Sequence, residues 1–251
     1  MLIVRDWSMF DAQAYLREYY GDIGAENLAL LRFLVNGLRS VSPDSLMLDF
    51  GSGPTIYSLI TASVRVKEIH VCDYVESNLD EVRKWLRRDP TAFNWREFIE
   101  TTLELEGKDN SPRSVFLREQ ETRNRVTRLV RGDASLPSPL GKMTSQYDLL
   151  VSNFCAESAT SDWSQWRVFI HNITSLLKPG GTFMLAALKG ADSYSVGDTN
   201  FPAVRIMEQD LLQALVEEGF VRKSIAIESV PADRPSRHYE GLMLARATKS
   251  P

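Results

Sequence analysis

Apolar positions along the chain follow two different periods. Over Asp11 to Tyr20 and Ala25 to Leu38 they recur at helical spacing, including Tyr15/Tyr19 and Leu30/Leu34, and Gly21 and Gly24 break the run between them. Two N-terminal helices are therefore predicted. Leu46 to Phe50 is short and apolar and runs straight into Gly51-Ser52-Gly53-Pro54, followed by the mixed segment Thr55 to Val64. This reads as strand, tight turn and helix. Glu68 to Tyr74 predicts a second strand, and Asn78 to Arg88 a helix with Leu79, Val82 and Leu86 on one face. Further strands are predicted at Leu129 to Gly132, Tyr147 to Ser152 and Thr182 to Leu188, with a helix from Trp163 to Leu177 before the last. Such alternation implies an α/β fold with a parallel, doubly wound sheet. After a helix from Glu208 to Glu218, the segments Lys223 to Val230 and Glu240 to Ala247 follow one another without a helix, as an antiparallel pair would. Between Glu106 and Arg131 the pattern loosens into a loop and then a solvated helix carrying Arg118, Arg123, Arg125 and Arg128.

Composition narrows the function classes. The 251 residues show no repeat and no linker-like stretch, so one domain with additions is expected. Lys plus Arg is 29 against 33 Asp plus Glu, which argues against a nucleic-acid partner. The longest apolar run, Phe183 to Leu188, falls far short of the ~20 residues of a membrane helix. Charge at Arg5-Asp6 interrupts any signal-peptide core, so a cytoplasmic protein without membrane association is expected. Cys72 and Cys155 have neither disulfide-framework nor metal-ligand spacing, and no metal is expected.

The candidate chemistry centres on the glycine turn, where a missing Cβ lets a ligand approach the backbone. The third glycine of a dinucleotide fingerprint is absent after Gly51-Ser52-Gly53, and no Gly-Lys-Ser/Thr triphosphate loop occurs. Instead Asp49 stands two residues before Gly51, the pattern usual for S-adenosylmethionine, whose sulfonium and ammonium favour carboxylates. Asp73, 22 residues beyond Gly51 at the end of the second strand, suits two ribose hydroxyls, and Asp133 at the end of a later strand suits an adenine amine. Each alone could be a helix N-cap. Together with the turn they outline one nucleoside.

The residues carrying this pattern also resemble a known family. Gly51-Ser52-Gly53-Pro54-Thr55-Ile56-Tyr57, Lys67-Glu68-Ile69, Asp73-Tyr74, Asn78-Leu79, Lys84-Trp85-Leu86, Ala92-Phe93, Trp95, Leu105-Glu106-Gly107, Pro139-Leu140-Gly141, Ser175 to Gly181 and Glu240-Gly241-Leu242 are similar to the nicotinamide, phenylethanolamine and indolethylamine N-methyltransferases. The resemblance covers nearly the whole chain from Tyr15. It implies a class I methyltransferase: a Rossmann-like, doubly wound seven-stranded sheet with a terminal antiparallel strand, an N-terminal helical lid over residues 1–40 and a cofactor-binding unit over 41–251. It further implies S-adenosylmethionine contacts by Tyr15, Tyr20, Asp49, Gly51, Ser52, Gly53, Thr55, Tyr57, Asp73, Tyr74, Asn78, Asp133, Ala134 and Asn153. Trp7 and Tyr19 are read instead as core packing.

On the acceptor side, Glu157 in Asn153-Phe154-Cys155-Ala156-Glu157 stands where the resemblance places an acidic residue facing the acceptor, and the resemblance also implies that Tyr15 lies near both reactants. A second acidic position is Ala186 here, and the segment from Gly190 to Tyr194 is one residue longer than in the nicotinamide enzyme. Asp192, Tyr194, His238 or Glu240 are candidates to replace that contact. The expected activity is N-methylation of a small amine or N-heterocycle other than nicotinamide, by a monomer or weak homodimer, with Glu157 and Tyr15 as catalytic residues. Transfer to oxygen or carbon, or a silent S-adenosylmethionine-binding protein, are the alternatives.

Overall fold

The computed structural model describes residues 6–143, 146–233 and 238–251. Helices α1 (Ala12–Tyr20) and α2 (Gly24–Gly37) come first. Asp11 starts α1 by accepting the N–H groups of Gln13 and Ala14 at 3.0 and 2.9 Å, as an N-cap carboxylate does. There follow β1 (Leu46–Phe50), α3 (Tyr57–Ala62), β2 (Glu68–Asp73), α4 (Glu76–Leu86), α5 (Arg96–Leu105), α6 (Pro112–Arg125), β3 (Val126–Arg131), β4 (Tyr147–Asn153), α7 (Trp163–Thr174) and β5 (Leu177–Lys189). The chain ends with β6 (Ser193–Val196), β7 (Thr199–Pro202), α8 (Glu208–Glu217), β8 (Ala226–Pro231) and β9 (Gly241–Thr248).

Seven strands form one sheet in the order β3-β2-β1-β4-β5-β9-β8. The first five run parallel, and β9 inserts antiparallel between β5 and β8, with Thr182 to Lys189 facing Thr248 to Gly241. The strand order reverses between β1 and β4, so the turns after these two strands diverge and open a crevice, the usual ligand position in such sheets. Side chains alternate along β4: Leu149 and Val151 join the core beneath α2, α3 and α5, while Leu150 joins that beneath α7 and α8. No helix among the described residues is long and apolar enough to cross a membrane.

The fold departs from the sequence reading in five places. Helix α6 is not simply solvated: Arg118 is 3% exposed and pairs with buried Glu106. Helix α5 and the β6–β7 hairpin went unpredicted, although Gly197-Asp198 between two short segments is a hairpin turn signal. Helix α3 begins at Tyr57 rather than Thr55, because the Thr55 hydroxyl donates to Ser52 O at 2.7 Å and completes the turn instead. Helix α7 stops at Thr174, and Leu177 already pairs with Tyr147 in the sheet.

Candidate functional site

The glycine turn is fixed by β2 beside it. Gly51 and Ser52 both donate to Cys72 O, at 2.8 and 3.0 Å, and Gly53 donates to Asp73 Oδ2 at 2.8 Å. Gly51 and Gly53 have φ of +69° and +58°, where a side chain is strained. A Cβ on Gly51 would lie 2.2 Å from Cys155 Sγ, so the loops after β1 and β4 touch at this point.

Beyond the turn lies a cavity of about 940 Å³, at the upper end of the range for small-molecule sites. Its wall brings together Tyr15, Tyr20, Gly51, Ser52, Gly53 and Tyr57 from the first part of the chain. Asp73, Tyr74, Asn78, Asp133, Ala134, Asn153 and Tyr194 complete the predicted set that reaches it. Tyr15 and Tyr20 close the cavity from α1, their hydroxyls 3.5 Å apart, and the Tyr20 ring stacks on Tyr57 at 5.4 Å.

Asp73 and Asn78 form the most developed polar group. Asp73 Oδ1 accepts from Val75 N at 2.8 Å and from Asn78 Nδ2 at 3.0 Å. Burial pushes its carboxyl above the ordinary range despite these donors. With its amide committed, Asn78 is left with a buried Oδ1 that has no partner among the described residues. A buried acceptor without a donor is costly. A ribose has the hydroxyls to satisfy it, together with the lone pair remaining on Asp73 Oδ2. Asp133 is held in a local turn, with Oδ1 accepting the N–H and hydroxyl of Ser135 at 2.8 and 2.6 Å.

Seven predicted residues do not reach the cavity wall. Asp49 lies behind the turn with Oδ2 taking the Ser58 hydroxyl, and burial raises its carboxyl to about 7. Thr55 ties the turn internally. Ala186 is 1% exposed within β5, where its N–H donates to Asn153 Oδ1 at 2.9 Å. His238 is exposed beside Tyr239, which does line the cavity. Glu157 is fully enclosed: Oε1 accepts Leu188 N at 3.0 Å and the Ser158 hydroxyl at 3.3 Å, and burial raises its carboxyl to about 7. Ser158, not Glu157, stands in the cavity wall. Asp192 and Glu240 both pair with Arg205 instead of entering the site.

Other lining residues escaped the sequence reading. Trp7 and Tyr19 line the cavity besides packing, with Trp7 stacked on Phe201 at 5.1 Å and the Tyr19 hydroxyl donating to Ser195 O at 2.9 Å. Glu26 and Tyr239 were missed because their meeting joins α2 to a segment more than 200 residues away. Ser158 was legible only as the neighbour of Glu157. Among the described residues no group of acidic, histidine and cysteine side chains is placed to hold a metal.

The sequence model of the NNMT/PNMT/TEMT family matches residues 5–250. The chain belongs to this family. Nicotinamide N-methyltransferase of Sus scrofa is 32% identical over 244 residues, covering 94% of this chain and 91% of the relative. Phenylethanolamine N-methyltransferase of Bos taurus is 33% identical over 257 residues, covering 97% and 89%. Among solved structures, the glycopeptide N-methyltransferase MtfA complexed with S-adenosylhomocysteine superimposes with a TM-score of 0.57 at 15% identity, over 99% of this chain and 100% of that one. That likeness shows the fold. As a member of the NNMT/PNMT/TEMT family the chain is an S-adenosylmethionine-dependent methyltransferase of the small-molecule N-methylating class. The unpartnered Asn78 Oδ1 beside Asp73 fits the ribose of that cofactor.

Proposed function

We propose that the chain methylates the nitrogen of a small amine or N-heterocycle, with the nucleoside of the cofactor on Asp73, Asn78, Asp133 and Ala134 and the acceptor beneath α1. S-adenosylmethionine supplies an electrophilic methyl group and its leaving group; the protein supplies alignment, which contributes up to ~7–11 kcal/mol. Tyr20 and Tyr57, stacked in the cavity wall, would hold the amino-acid end of the cofactor. Tyr15 lines the same cavity and would meet the reactants there, and α1 and α2 would shield them from water.

A free amine carries the lone pair that attacks, and the proton it sheds after the N–C bond forms needs an acceptor. Ser158 reaches the cavity and donates to Glu157 Oε1 at 3.3 Å, so a proton given to the serine oxygen releases the serine proton to the carboxylate. A carboxyl near 7 is suited to that exchange. Glu157 thus acts one hydroxyl away from the acceptor.

The single observation behind the cofactor half of this reading is the buried Asn78 oxygen awaiting a donor beside Asp73. The acceptor is not nicotinamide on this reading, since Ala186 leaves no carboxylate on that part of β5 to receive an amide. Calorimetry with S-adenosylhomocysteine tests the cofactor half. Mass spectrometry of products from labelled cofactor with amines, N-heterocycles and nicotinamide tests the acceptor half. Methyl transfer to nicotinamide at a rate above the amines would overturn the acceptor assignment.

A further inference from the structure

We propose that Asn172 of α7 decides which base the cofactor pocket accepts: by holding the Ala134 carbonyl it aims the Asp133–Ala134 edge so that a 6-aminopurine is bound and a 6-oxopurine refused. The inference rests on the S-adenosylmethionine reading above and adds to it a positioning residue that lies outside the cavity.

Asp133 and Ala134 line the cavity from the turn after β3 and offer the two halves of a hydrogen-bonding edge. Asp133 Oδ1 is taken up by the Ser135 N–H and hydroxyl, so Oδ2 is the oxygen left to accept from a ligand. Ala134 adds a backbone N–H, a donor. Adenine carries the complement, an amino group that donates next to a ring nitrogen that accepts. A 6-oxopurine reverses both, setting acceptor against acceptor and donor against donor, and leaves these groups unpaired.

Such a reading is only as sharp as the turn is still. Gly132 N donates to Asp73 O at 3.0 Å and Asp133 N to Pro139 O at 2.9 Å, which ties the start of the turn through its backbone. The peptide that follows Ala134 is held by a side chain: Asn172 Nδ2 donates to Ala134 O at 2.8 Å. That peptide is planar, so a bond that fixes its carbonyl also fixes the Ser135 N–H at its other end. Asp133 Oδ1 accepts this same N–H at 2.8 Å. Asn172 therefore steadies the Asp133 carboxylate through one peptide unit. It is 5% exposed, stands in the last turn of α7 and does not itself line the cavity. A buried carboxamide is costly unless it is bonded, and the bond it makes here goes to the turn that meets the base.

The test is calorimetry on the full chain with S-adenosylhomocysteine and S-inosylhomocysteine, which differ only in the group at the 6-position of the base and the proton on the ring nitrogen beside it. The wild type is expected to prefer S-adenosylhomocysteine by about a hundredfold, the upper part of what a two-point contact with a base edge discriminates. Asn172→Leu removes the donor and is expected to narrow that ratio to about tenfold or less, as one of the two contacts loses its aim. Asn172→Gln, which keeps a carboxamide, is expected to retain most of the preference. Affinities are read on the folded fraction, so the ratio separates aim from folding whatever happens to Tm. An unchanged ratio in Asn172→Leu overturns the proposal and marks the residue as a strut, including when both affinities fall together. A wild type that does not distinguish the two ligands overturns it too, as does Asn172→Gln no more selective than Asn172→Leu. Failure of the wild type to bind either ligand overturns instead the cofactor reading beneath it.

Discussion

The Asn78 side chain donates to Asp73 Oδ1 at 3.0 Å and leaves its own Oδ1 buried without a partner. The pair thus leaves an acceptor that no donor among the described residues satisfies. Asn78→Ala removes both the support of Asp73 and the waiting acceptor. Its S-adenosylhomocysteine affinity is expected to fall by about tenfold or more, from ~1.5–3 kcal/mol of hydrogen bonding to a charged partner and a ligand hydroxyl. Because the free protein already leaves this oxygen unsatisfied, the Tm without ligand changes little. Calorimetry and thermal unfolding of the same preparation check both halves.

A second pair supports the site from behind. Arg118 in α6 spans both oxygens of Glu106, and its Nη1 also donates to Ile60 O at 3.1 Å, holding α3 and with it Tyr57. Burial would raise the Glu106 carboxyl, but Arg118 and Lys108 outweigh it and hold it below the ordinary range. Arg118→Ala leaves that carboxylate buried and without its main partner, and is expected to cost about 3–5 kcal/mol in urea unfolding. Arg118→Met with Glu106→Leu is expected to regain most of it. A loss as large in the double variant would show that the bond to Ile60, not the ion pair, supports α3.

Where the hydrophobic period was long, the sequence was legible. Leu46 to Phe50 before two glycines, and Leu79, Val82 and Leu86 on one helix face, mark β1, the turn and α4, and so locate one side of the crevice. Asp73 and Asp133 were readable because strand C-termini converge in such a sheet. What was hidden depends on contacts between distant segments. The run of arginines from Arg118 looks solvated in one dimension, and only the meeting of α6 with the end of α5 buries Arg118. Glu157 was legible as an acid at the end of β4, but its rotation behind Ser158 is decided by Leu188 N on the neighbouring strand. Glu26 carries no local signal, since the Tyr239 that sets it lies near the other end of the chain.

Burial raises the Asp49 carboxyl from 3.8 to about 7, against the Ser58 hydroxyl that stabilises its charge. A carboxyl with a raised value in the folded state favours the protonated form. Its contribution to stability is therefore complete below about pH 4 and is lost as the pH climbs towards 7. Glu157 acts in the same direction, with its window starting near 4.5. The ligand-free protein is expected to lose stability across this range, each group contributing at most about 1.4 kcal/mol per pH unit. Asp49→Asn flattens part of the decline. Urea unfolding at several pH values gives the slope, and an identical slope in the variant would show that Asp49 is not its source.

For turnover the same Glu157 value works in the opposite sense, because the relay needs the carboxylate. With an acceptor in hand, kcat is expected to fall as the pH drops below about 7. Glu157→Gln should remove this limb and lower kcat by about 10²–10⁴-fold, with cofactor affinity retained. Ser158→Ala breaks the path at the cavity wall and should lower kcat while the carboxyl still titrates. Full kcat in Ser158→Ala would mean that water or direct contact carries the proton.

Gly51 and Gly53 separate backbone strain from close approach. At Gly53 the space is open: an added Cβ would find its nearest neighbour, Tyr15 Cε1, at 3.9 Å, and only the φ of +58° opposes a side chain. Gly53→Ala is expected to cost about 1–2 kcal/mol, the ordinary penalty for an L-residue in that region. At Gly51 the same strain is joined by a Cβ 2.2 Å from Cys155 Sγ and 2.6 Å from its Cβ, which forces the loops after β1 and β4 apart. Gly51→Ala is therefore expected to lose more stability than Gly53→Ala and to weaken S-adenosylhomocysteine binding beyond detection. Cys155→Gly in the Gly51→Ala background removes the collision but not the strain, so it should restore a Tm close to that of Gly53→Ala, less the cost of a second flexible glycine. If the rescue fails while Cys155→Gly alone is folded, it is the backbone at Gly51, and not its contact with the β4 loop, that holds the turn open for the cofactor.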